Sequence, residues 1–247
     1  MKFNTPKSLK EISEIIKAEF EGDPDFLVTG INEIHMVETG DLTFVDHPKY
    51  YDKALGSNAT TIVINKKVPR PDGKALIFSN DPFADYMALV KKFRPFEPAV
   101  KMVSDSAVIG EGTVIQPGAF IGNHVQIGKN CIIHSNVSVY DHTIIGDQVI
   151  IHSGTVIGAD AFYFQKRKDK TIKFESCGRV IIKDHVEIGA NCTIDKGVSG
   201  DTIIDEYTKF DNHIQIGHDT YIGKRCMFAS AVLVAGVSRI EDDVILW

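Results

Sequence analysis

Excess positive charge, long apolar runs and paired cysteines are all missing from this 247-residue chain. Its 27 Lys and Arg stand against 33 Asp and Glu, a formal net charge of −6. A nucleic-acid partner would have to be held by a local basic patch against an unfavourable overall field, so no nucleic acid is expected. Residues 1–12, MKFNTPKSLKEI, contain no apolar signal region, and no run has the length of a transmembrane segment. Any connection with lipid must then come through a substrate. Cys131, Cys177, Cys192 and Cys226 lie far apart without a C-x-x-C pair, which predicts buried, reduced thiols and a cytoplasmic location. What the chain does have is length for one large or two modest domains, and an apolar fraction of 43%, enough for a real core.

From Val103 an aliphatic residue recurs at every sixth position: Val103, Ile109, Ile115, Ile121, Ile127, Ile133, Val139, Ile145, Ile151 and Ile157. Four places after each comes a small or β-branched residue, such as Ala107, Thr113, Ala119 or Cys131. This is a hexapeptide repeat, in which six residues make one flat face of a triangular prism and three faces close one coil. The aliphatic points inward, the small residue fits near a corner, and Gly, Asp, Asn and Lys make the turns. The spacing fails over residues 162–181, which reads as an inserted loop, and resumes at Ile182, Ile188 and Ile194. After a four-residue slip near Ser199 it continues from Ile204 to Leu246. The series stops in mid-repeat at Trp247, where a bare apolar cross-section would need a cover, so an unusual or shortened end is expected.

Residues 1–98 follow another pattern and predict a separate domain. Ser8 and Glu11 fit a capping box ahead of Leu9, Ile12, Ile15 and Ile16 on one helical face. Asp81-Pro82 opens a second helix carrying Phe83, Met87 and Val90. Residues 42–45, 60–64 and 75–78 read as short strands, and Pro95 and Pro98 mark a linker. The expected architecture is an α+β domain over 1–98, followed by a left-handed parallel β-helix over 99–247.

Hexapeptide prisms serve several chemistries, so the fold selects no substrate. Specific segments go further: IHSGTVIGADAF (151–162), GRVIIKDHVEIGANCTIDKG (178–197), DTIIDEYTKFDNHIQIGHDTYIG (201–223) and VAG (234–236). With GDLTFVDHPKYYDKAL (40–55) in the first domain, the chain resembles the UDP-3-O-acylglucosamine N-acyltransferases of lipid A biosynthesis over nearly its whole length. The resemblance implies a homotrimer with active sites between neighbouring prisms, and an acyl carrier protein bearing a 3-hydroxyacyl chain as donor. It also implies a UDP-sugar acceptor and no cofactor or metal. The sequence departs from the family in three places. His47 stands where Asn is common in Asn-Pro-Lys-Tyr, Ala161-Phe162-Tyr163 replaces a Gly-Phe-Gly loop, and the family's C-terminal helices and a second, later histidine have no counterpart.

Acyl transfer from a thioester to an amine needs a base and a donor for the tetrahedral oxyanion. His218 is the candidate base: it lies two places after Ile216, in a slot that does not face the core. A lone turn histidine is more often merely solvated, and the family's matching IQIGH context tips the choice. Gly236, eighteen residues on, stacks one coil above it and is the oxyanion donor that the resemblance implies. Asp211, Gln215 and Asp219 flank the base, and the resemblance implies that such groups contact the sugar or orient the base. Phe44 and Tyr50 are either core aromatics or, as the resemblance implies, a sandwich for uracil, with His47 beside them. Lys166, Arg167, Lys168, Lys170 and Lys173 face one acid, Asp169; they are a solvated run or a contact for an acidic carrier protein or a diphosphate.

Two other classes stay open from the sequence. His213 and His218, with His185 upstream, resemble the zinc-binding spacing of γ-class carbonic anhydrases. A prism that binds nucleotide sugar or carrier protein without turnover is the other.

Overall fold

A computed structural model describes residues 1–247. Two compact units, Met1–Phe96 and Glu97–Trp247, divide just ahead of the expected boundary at residue 98. In the first, strands β1 (Lys2–Ser8), β2 (Glu19–Glu21), β3 (Leu27–Ile31), β4 (Asp41–Val45), β5 (Thr61–Ile64) and β6 (Ala75–Phe78) form one sheet in the order β1-β3-β4-β5-β6-β2. The four central strands are parallel and the two edges antiparallel. Every residue of β5 is buried, as a parallel strand covered on both faces must be. The expected capping box is present: the Ser8 hydroxyl accepts from Glu11 N, and the Glu11 carboxylate accepts from Ser8 N at 2.7 Å. It starts helix α1 (Leu9–Ile16), whose Leu9 and Ile12 are fully buried, each contributing about 1.5–3 kcal/mol of apolar burial. Asp81 caps the helix Pro82–Phe93 through Ala84 N, and that helix buries Phe83, Tyr86, Met87, Leu89 and Val90.

The second unit is the hexapeptide prism. Three parallel sheets of two-residue and slightly longer strands run along it. Partners stack eighteen residues apart, as where Asn123 N reaches Asp141 one coil on. The inward aliphatics from Ile121 to Ile222 are almost completely buried and form one continuous core. Across the insertion Ile145 pairs with Ile182, and the same coil step separates Asp147 from Asp184 by 37 residues. Across the later slip Ile182 pairs with Ile204, a step of 22 seen also between Arg179 and Asp201. The stacking register therefore absorbs both irregularities.

The segment expected as a loop over 162–181 is more ordered than its lack of periodicity implied. Phe164–Lys166 and Thr171–Lys173 pair as an antiparallel hairpin, and the chain rejoins the prism at Arg179–Ile182. Phe174 and Cys177, inside the insertion, are buried.

Two features of the corners shape the site. The residue three places after most inward aliphatics adopts left-handed φ, including His124 (57°), His213 (59°), Asp219 (55°) and Val237 (60°). One place earlier, the donor N–H of one coil meets an acidic or amide side chain on the next: Asn123 to Asp141, Lys129 to Asp147, Ala190 to Asn212 and Lys224 to Asp242, at 2.7–2.9 Å. Gly236 occupies that acceptor slot above His218.

Candidate active site

One sheet of the prism assembles the chemistry. Its neighbouring strands Val156–Ala159, Thr193–Asp195, Gln215–Ile216 and Leu233–Val234 run side by side. The turns leaving them carry Asp160, Lys196, His218 and Gly236.

His218 is no freely solvated turn residue, since its side chain is only 17% exposed. Its Nδ1 lies 2.9 Å from Asp219 Oδ2. The carboxylate accepts there, so Nδ1 carries the hydrogen and Nε2 is left as an acceptor. Asp219 is itself pinned, accepting from Val198 N at 2.8 Å and Gly200 N at 3.3 Å, while its own N–H donates to the Thr202 hydroxyl. The four-residue slip brings those two N–H groups onto it. The Asp219 side chain is fully buried. Of the two roles expected for it, contact with the sugar or orienting the base, its burial leaves no surface for a sugar, and its hydrogen bond to Nδ1 suits the second.

Gly236 stacks where the eighteen-residue spacing put it. A Cβ there would come within 2.7 Å of His218 Nε2 and 2.8 Å of Cδ2. Only glycine leaves room for the ring. The Gly236 N–H makes no hydrogen bond within the chain.

Gln215 donates from Nε2 to Asp195 Oδ2 at 3.1 Å and accepts from the Thr193 hydroxyl. Asp195 was not foreseen. Burial pushes its carboxyl above the ordinary carboxylate range, against the pull of the Gln215 hydrogen bond and the His218 charge. Asp160 goes the other way: burial raises it, but hydrogen bonds from Lys173 and Lys196 outweigh burial and hold it low. Lys173 is thus committed to Asp160 and is not part of a free basic run. Asp211 is exposed at the preceding turn, with its carboxylate accepting from Asn212 N and Nδ2.

Tyr163 also went unforeseen. Its ring meets the His218 imidazole edge-on at 5.8 Å between centroids and is backed by the buried Phe174 at 5.2 Å. The only sequence signal was the departure from Gly-Phe-Gly in the insertion.

In the first unit, Phe44 is half-buried and packs on Phe83 and Tyr86, with centroids 6.0 and 4.8 Å away. Tyr50 is 46% exposed. His47 and Tyr50 lie with ring centroids 5.9 Å apart, and His47 Nδ1 accepts from Lys49 N to cap the turn Pro48–Tyr50. That bond places the remaining ring hydrogen on Nε2, as an outward donor.

The zinc alternative finds no support in the placement of its histidines. His213 is exposed at one corner, His185 stacks on Tyr207, and His218 gives Nδ1 to Asp219. No group of three or more potential metal-binding side chains converges in the chain.

Comparison with known proteins points one way. Residues 25–92 match the family model of UDP-3-O-(3-hydroxymyristoyl) glucosamine N-acyltransferase. Residues 106–139 and 124–159 match the bacterial transferase hexapeptide model. The chain is 36% identical to a UDP-3-O-acylglucosamine N-acyltransferase of Methylobacillus flagellatus, across 94% of this chain and 73% of that protein. It is 39% identical to the protein of the same name from Fusobacterium nucleatum, across 90% and 73%. Among solved structures, the UDP-N-acetylglucosamine acyltransferase of Francisella novicida superposes with a TM-score of 0.53 at 28% identity, over 58% of this chain and 51% of that one.

Proposed function

Because the chain belongs to the UDP-3-O-acylglucosamine N-acyltransferase family, we propose that it transfers a 3-hydroxyacyl chain from acyl carrier protein to the 2-amine of UDP-3-O-(3-hydroxyacyl)glucosamine. The observation that carries the mechanism is the His218–Asp219 pair lying beneath Gly236. The amine nitrogen attacks the thioester carbonyl carbon while His218 Nε2 takes its proton, and Asp219 steadies the imidazolium that forms. The carbonyl electron pair becomes an oxyanion held by the Gly236 N–H. When the intermediate collapses, the C–S bond breaks, the sulfur leaves with the proton from His218, and the products are an amide and a free carrier thiol.

Asp211 and Gln215 contact acceptor hydroxyls at the rim. In the first domain Phe44 and Tyr50 hold the uracil, and the outward Nε2–H of His47 is the donor for a uracil carbonyl. No helix of the chain is long and apolar enough to cross a membrane. The proposed setting is the cytoplasm, where the carrier protein is found.

The test is a transfer assay with UDP-3-O-acylglucosamine and a panel of acyl carrier protein thioesters. The amide product is expected with 3-hydroxyacyl donors, and nucleotide-sugar binding without product from any donor would favour a non-catalytic prism. The working unit is a trimer, its clefts closed by a neighbouring prism. Sedimentation at micromolar concentration is expected to give three times the chain mass, and a monomer there would leave the clefts open and refute that part.

A further inference from the structure

Each acid around the base has a charged or doubly bonded partner in direct hydrogen-bond contact except Asp195, which feels the His218 imidazole only through space. Asp160 is neutralised by Lys196 at 2.6 Å and by Lys173. Asp219 is satisfied by two backbone N–H groups and the imidazole. Asp195 has only the neutral Gln215 amide on Oδ2, and its Oδ1 takes no hydrogen bond. A half-buried carboxylate with a single neutral partner costs free energy unless the site is completed by something positive. The adjoining Lys196 does not serve, since it turns to Asp160. The cost shows in the upward push that burial gives the Asp195 carboxyl.

The missing charge has a source in the reaction proposed above, on which this inference rests. An aliphatic amine near neutral pH arrives largely protonated, whereas a sugar hydroxyl is neutral. We propose that Asp195, lying beside His218 with one oxygen open, binds the acceptor's ammonium group and so selects an amine over a hydroxyl acceptor. The geometry suits that role. Asp195 and Gln215 lie on adjacent strands of the sheet whose next turn carries His218, and Gln215 fixes one carboxylate oxygen while leaving the other free. An ammonium held there passes one proton to solvent water before attack, and the neutral nitrogen that remains gives its second proton to His218 Nε2 as it attacks.

Two ligands separate this role from a merely structural one: UDP-3-O-acylglucosamine, and the matching UDP-3-O-acylglucose with a hydroxyl in place of the amine. Calorimetry on the wild-type protein is expected to show tighter binding of the amine. In Asp195→Asn the amine ligand should weaken by roughly tenfold or more while the hydroxyl ligand changes little, because only the former loses a charge-assisted hydrogen bond. Asp195→Ser, which removes the charge without adding an amide, should behave alike. Equal weakening of both ligands would assign Asp195 to positioning Gln215 and overturn the proposal, as would unchanged discrimination. If the wild type binds neither sugar, the acceptor itself is wrong and both readings fall. If it binds the amine and acylates it while the variants match it, only the role of Asp195 falls.

Discussion

Adding one methyl group at Gly236 is the sharpest perturbation the site allows. In Gly236→Ala the new Cβ would stand 2.7 Å from His218 Nε2, 2.8 Å from Cδ2 and 3.0 Å from Cε1. Ordinary contact begins near 3.4 Å, so the ring must retreat by about 0.7 Å. Asp219 cannot follow it, being fixed by the N–H groups of Val198 and Gly200. The ring therefore tilts on its 2.9 Å bond to Oδ2, and Nε2 leaves the line of attack. A displacement of this size in a reacting group costs roughly 10–100-fold in rate, or about 1.4–2.7 kcal/mol. The Gly236 N–H survives the substitution, so the loss would not come from removing the oxyanion donor. Single-turnover kinetics should show the chemical step slowed, with acceptor affinity within a small factor of normal. His218→Ala should lose roughly 100-fold or more by removing the base. The double variant should be little worse than His218→Ala alone, since both changes act through one ring. A folded Gly236→Ala protein with normal turnover, or a double variant whose losses multiply, would refute this account.

Phe44→Ala or Tyr50→Ala should weaken nucleotide-sugar binding by about 1 kcal/mol, some fivefold by calorimetry, as expected for a lost ring stack. Unchanged affinity in a folded variant would return both rings to the core. Asp160, held low by its lysines, contributes stability that is present above the ordinary carboxylate range and is lost as pH falls through its depressed value. Asp160→Asn should therefore lower the melting temperature at pH 7, by roughly 2–4 °C for a contribution near 1 kcal/mol, and converge with the wild type in strong acid. An equal deficit at both pH values would mean that packing, not charge, is lost.

The prism was legible because its core follows one period, and the eighteen-residue step that placed Gly236 over His218 is the same step that stacks every regular coil. The first unit was harder. Strands 42–45, 60–64 and 75–78 announced themselves as apolar runs, but Lys2–Ser8 and Leu27–Ile31 did not. The former is a polar edge strand with most residues exposed, and the latter contains a glycine that lets Met1 O approach within 2.6 Å of where a Cβ would sit. In the candidate site, the residues set by repeat spacing were found and those set by irregularities were not. Tyr163 reaches His218 from the inserted hairpin. Asp195 meets Gln215 twenty residues away across the slipped coil, a separation the regular repeat does not contain. Asp219 was noticed, but nothing in the sequence said that the slip would bury it under two backbone N–H groups.

Gly236 stands in the slot where several other turns carry an acidic or amide cap, and this has a consequence for anyone who tries to stabilise the protein by copying those caps. Copying the caps at 141, 147, 184 and 242 would write Asp there. That residue would add a carboxylate cap of the kind that Lys224 N–H finds in Asp242, a familiar route to stability. Its side chain would also fill the space that the imidazole needs. If the proposed mechanism holds, an aspartate written at 236 would steady the turn and cost the protein its acyl transfer.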